Sequence, residues 1–74
     1  MNIKKEQSIQ EFHAGFNEMA DLVLAQLTLI EKLMTGKDKK ENTQLLRTFK
    51  KNEKEIDKYE VSMSARFINI IVLY

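Results

Sequence analysis

Glu53 and Asp57 stand four residues apart. On a helix that spacing puts both carboxylates on one face, where two oxygens can hold a hard cation if facing helices add more ligands. They are the metal candidates in this chain, and weak ones. Charged helices generate the pattern constantly, and Lys54 and Lys58 lie beside it. No metal site is expected. Catalysis has even less to stand on. There is no Cys, so thiolate zinc sites, disulfides and a Cys nucleophile are excluded. The single His, His13, neighbours Phe12 and Phe16 and reads as a boundary residue. It cannot assemble a nucleophile–base–orienter set with scattered Ser and Thr. A Gly-rich phosphate loop is missing too. The expectation is no catalytic residue, no cofactor and no enzyme.

Charge excludes other chemistry. Twelve basic and eleven acidic side chains leave a net charge of +1 in 74 residues. The lysines are many (Lys37, Lys39, Lys40, Lys50, Lys51, Lys54, Lys58), but interleaved acids cancel most of their field. No aromatic platform accompanies them, so no nucleic-acid partner is expected. An anionic membrane surface prefers a one-sided basic face, which is also lacking. Residues 67–74 are the longest nearly apolar stretch, far short of the roughly 20 residues that cross a bilayer. The first ten residues are polar and contain no secretory h-region. A cytoplasmic location without membrane insertion is the resulting expectation.

The elements that must carry these residues are helices. Two Gly and no Pro leave little turn chemistry for a sandwich or barrel. Apolar residues recur at Ile9, Phe12, Phe16, Met19, Val23, Leu27, Ile30 and Met34, in steps of three and four. That is a helical stripe close to a heptad seam. Leu22, Leu24, Leu29 and Leu33 widen it, and Gln10, Asn17, Gln26 and Lys32 fall on the far side. Gly15 lies inside the stripe, where a neighbouring helix can approach closely. Gly36 ends it, and the left-handed conformation open to Gly predicts a C-terminal stop there. Asp38 is placed to cap a second helix, with Glu41 at capping-box spacing. The second stripe is Leu45, Phe49, Ile56, Met63, Phe67 and Ile70, with Leu46, Tyr59, Ile71 and Leu73 alongside. Between them Lys50, Glu53, Lys54, Glu55, Asp57 and Lys58 read as a solvated face. The pattern predicts an all-α chain: one helix over about residues 3–35, a turn at 36–38, and a second helix over about 39–74.

Residues 67–74 taken alone look like a strand. The stripe enters them in phase with no intervening turn residue, so helix is expected. The chain then stops on apolar residues that a single partner helix cannot cover. Two helices of this size bury one strip each, without disulfide or metal staples. A long antiparallel hairpin that self-associates into a dimer or higher, most simply a four-helix bundle, is the expectation; so is a chain that forms part of something longer.

Residues 52–63, Asn-Glu-Lys-Glu-Ile-Asp-Lys-Tyr-Glu-Val-Ser-Met, followed by Phe-Ile-Asn-Ile-Ile-Val-Leu-Tyr at 67–74, resemble the second helix of PhoU-type proteins. Phe16-x-x-Met19-x-x-x-Val23-x-x-Gln26-Leu27 is similar to that family's opening helix, and Gly36-Lys37-Asp38 falls at its short connection. The resemblance covers nearly the whole chain. It implies the first hairpin of a three-helix repeat within a larger PhoU-like domain. The family's metal clusters sit chiefly on the third helix of each repeat, so metal ions are implied for full-length members and not carried over to this chain. Ser64 stands where the family often has an acid, while Asp57 and Glu60 match family positions as packing or loop-facing polar residues. The implied role is that of a cytoplasmic adaptor linking phosphate uptake to signalling, with a phosphate transporter's ATPase subunit and a sensor histidine kinase as partners. The cytoplasmic domain of a sodium–phosphate cotransporter is a related expectation. A structural oligomerisation module with no phosphate link is the alternative.

Overall fold

The computed structural model describes residues 3–73, which form two helices: α1, Ile3–Thr35, and α2, Lys39–Leu73. They pack side by side and antiparallel, as the hairpin expectation requires. The apolar tail is helical through Leu73; Tyr74, to which the second helix was expected to run, lies outside the described residues, as do Met1 and Asn2.

The corner is three residues long and is fixed by side chains on both flanks. The Asp38 carboxylate accepts from the amide of Lys40 at 2.9 Å and reaches that of Glu41 at 3.5 Å, which satisfies the donors left free at the start of a helix. Gly36 acts differently from the expectation. No described glycine has a positive φ, so α1 does not end through the left-handed region. The amide of Gly36 donates to the Lys32 carbonyl at 2.8 Å, one more ordinary helical turn. What the corner needs from Gly36 is the missing side chain. A Cβ there would stand 2.5 Å from Asn42 Oδ1 and 2.8 Å from the Lys32 carbonyl oxygen. Asn42 Nδ2 in turn donates to the Gly36 carbonyl at 3.2 Å, bracing the first turn of α2 against the end of α1.

The face that α1 turns to α2 also differs from the expected one. The less exposed positions of α1 are Lys5, Ser8, Phe12, Gly15, Met19, Leu22, Gln26, Leu29 and Leu33, a strict alternation of three and four, with Ala20 beside Met19. They face Asn42, Leu45, Phe49, Asn52, Ile56, Tyr59 and Met63 of α2, spaced the same way, with Glu55 beside Ile56 and Ile70 seven residues beyond Met63. Phe12 and Met19 belong to the apolar stripe read from sequence. Ile9, Phe16, Val23, Leu27, Ile30 and Met34 of that stripe are exposed. The helix is rotated by about one position, and Gln26, expected on the far side, is 4% exposed at the centre of the seam. At this level Gln26 supplies Glu53 with a donor that Val23 and Leu27 lack. Phe67, expected in the α2 seam, lies at its edge, more than half exposed but with its ring centroid 5.9 Å from that of Phe12.

The result is a rod of 56 × 16 × 12 Å. Its radius of gyration is 16.8 Å, where a compact domain of this length would measure about 11 Å. Met63, 6% exposed, is the one buried apolar residue among those described. Its thioether packs onto Gly15, where a Cβ would meet its methyl carbon at 2.5 Å. A second layer of structure to close a core is not supplied by two helices.

Candidate functional site

The seam divides the hairpin into two unlike flanks. On one, Tyr59 reaches across from α2 and its hydroxyl donates to Glu18 Oε2 at 2.7 Å. Gly15, Ser62, Met63 and Arg66 line the open cleft around this bond. The hydrogen bond to the Glu18 carboxylate raises the Tyr59 pKa above its ordinary 10.0, with desolvation and the negative charges of Glu18 and Glu55 adding in the same direction. This flank is polar and already partnered.

On the opposite flank α1 is largely apolar and α2 is charged. Phe16 from α1 and Phe67 from α2 line a shallow groove there, with Glu60 and Ser64 beside them. From this groove the outward track of α1 runs Ile9, His13, Phe16, Ala20, Val23, Leu27, Ile30 and Met34, in steps of four and three throughout. All are exposed except Ala20, and Met34 reaches 80%. No Asp, Glu, Lys or Arg occupies the track. α1 therefore carries two seams, one spent on α2 and one open. The corresponding track of α2 has Leu46 near one end, Phe67 and Ile71 near the other, and Lys50, Glu53, Asp57 and Glu60 between them. Scattered surface apolar residues need no explanation, but a track this long, apolar at every position except His13, marks an interaction surface.

Glu53 and Asp57, the weak metal candidates, stand one turn apart on the outward track of α2. Glu53 Oε1 accepts from Gln26 Nε2 at 3.0 Å, and Asp57 is exposed. Among the described residues no group of three or more His, Asp or Glu side chains is arranged to hold a metal ion. His13 lies on the exposed track, with its Nδ1 3.4 Å from Asn17 Nδ2. Among the described residues, no helix is long and apolar enough to cross a membrane.

Gln26 and the Glu18–Tyr59 pair are the polar anchors that sequence reasoning missed. Gln26 Nε2 donates to both the Phe49 carbonyl, at 2.9 Å, and Glu53, while its Oε1 is buried with no partner. The signal for Gln26 was present: it is the one polar residue in the three–four track that runs from Phe12 to Leu33 through Gly15, Met19, Leu22 and Leu29. The Glu18–Tyr59 bond spans 41 residues of chain and left no local trace.

Comparison with family models, with curated proteins and with solved structures finds no match. The likeness to PhoU-type proteins rests on the residues quoted for it.

Proposed function

We propose that this chain is a helical interaction module whose working part is the outward seam of α1, and that it acts by apolar docking and not by catalysis. The observation that carries the reading is the uncharged exposed track from Ile9 to Met34 on a hairpin whose own seam is already filled. Burying such a track is worth about 25 cal/mol for each Å² taken from water, without the desolvation cost of ionised groups. A photo-crosslinking residue at Val23 tests this in the cell of origin. It should capture protein, while the same residue at Ser62, on the polar flank, should not. Equal capture at both positions, or none at either, defeats the reading.

The narrower role implied by the PhoU resemblance fits within it. A cytoplasmic adaptor regulating phosphate uptake would present this seam to a transporter's ATPase subunit, to a sensor histidine kinase, or within a sodium–phosphate cotransporter. Its support is the run at residues 52–63 and the Phe16-to-Leu27 pattern. Co-purification with either of the first two partners, abolished by Val23→Glu, is the expected result. Retention by the charged variant would remove the seam from that interaction.

A further inference from the structure

Resting on that docking surface, the geometry points to a second copy of this chain as its occupant, with the two α1 helices antiparallel and crossing near residues 20–23. Three observations converge on this pairing.

The first is the symmetry of the track. Its spacing, four-three-four-three-four-three-four, reads the same from either end. Two antiparallel copies then fall into register with every layer filled: Ile9 on Met34 of the second copy, His13 on Ile30, Phe16 on Leu27, Ala20 on Val23. The small residues lie at the dyad, where the backbones approach most closely. The larger Phe16–Leu27 layers flank them. Large and small positions thus interdigitate, which is what helix packing requires.

The second is area. The chain exposes 6131 Å², against about 4,700 Å² for a compact folded monomer of its mass, roughly 1,400 Å² in excess. That excess is spread over both helices, and the α1 track is the part of it on which no Asp, Glu, Lys or Arg stands.

The third is charge, which selects the arrangement. Stacking α1 on α2 of the second copy would press Phe16, Ala20, Val23 and Leu27 against Lys50, Glu53, Asp57 and Glu60. Ionised groups would be buried with no counter-charge on the apolar side. Centring the contact on α2 would oppose acidic residues to one another. With α1 on α1 the charged stretch of α2 stays at the rim, in water. A strongly acidic or basic partner, for its part, finds no charge on this track to hold it.

The test uses the full chain, which contains no cysteine. Light scattering should give twice the 8.7 kDa chain mass, falling to the single-chain mass on Val23→Glu with helicity retained. Because a charged variant can also lose its fold, single cysteines supply an independent readout. A mixture of Phe16→Cys and Leu27→Cys chains should form the mixed disulfide, and Phe16→Cys alone should not form its own. A strictly monomeric wild-type chain overturns the pairing. So does a dimer that closes Phe16→Cys on itself, since that is a parallel arrangement. A monomer that captures another protein through Val23 leaves the docking surface standing and overturns the second copy as its occupant.

Discussion

Replacing Gln26 by Leu asks whether a polar group in the seam stabilises it or aligns it. Gln26 makes two hydrogen bonds but leaves Oε1 buried without a partner, a loss of about 1–3 kcal/mol. Leu is expected to raise the denaturation free energy by about 1 kcal/mol while loosening the register that Gln26 sets against Phe49 and Glu53. Urea denaturation reads the first effect, and broadened amide resonances along α1 read the second. Gly15 gives a graded case. A methyl at Gly15 meets the end of the Met63 side chain, which can move, and Ala gains about 1 kcal/mol of helix propensity. Gly15→Ala should be near neutral, whereas Gly15→Leu should lose about 1–3 kcal/mol by overpacking. Tyr59 contributes a pH dependence on the alkaline side. Its folded pKa is raised above the unfolded 10.0, so the contribution is fully present below pH 10 and is lost as pH rises through the folded value. In a Tyr74→Phe background, the ultraviolet titration of Tyr59 should sit above that of free tyrosine and return towards it in Glu18→Ala. An unmoved titration would remove the hydrogen bond as its cause.

At the scale of the elements, the second helix depends on how it begins. Asp38→Ala should lower stability by about 1 kcal/mol, and Asp38→Asn should recover most of it, since either side chain can accept from the Lys40 amide. Circular dichroism during thermal melting distinguishes the two. The existence of the helices, their type and the position of the corner were all legible in the sequence, because stripes of three and four over 30 residues admit no other period. Rotation about the helix axis was not. α1 offers two heptad tracks, and the more apolar one, through Phe16, Val23 and Leu27, attracted the assignment. On the face that α2 takes, Gln26 answers Glu53 at the edge of the seam, and Glu18 answers Tyr59. Hydrophobic pattern ranks faces by greasiness; the hydrogen bonds across the observed seam join residues more than 20 positions apart. The stop at Gly36 was found for the wrong reason. Space beside Asn42 and Lys32, not a left-handed backbone, is what requires glycine there.

For the whole molecule, a rod with one buried apolar side chain among those described is a thin basis for independent stability. If copies pair through α1, folding and association are linked, and the thermal midpoint should climb with protein concentration. A midpoint constant over a hundredfold dilution would mean that each hairpin stands alone. The shape itself bears on that measurement. At 56 × 16 × 12 Å the particle drags more solvent than a sphere of equal mass. It should leave a gel-filtration column early and sediment slowly, so that a lone hairpin calibrated against round standards can pass for a pair.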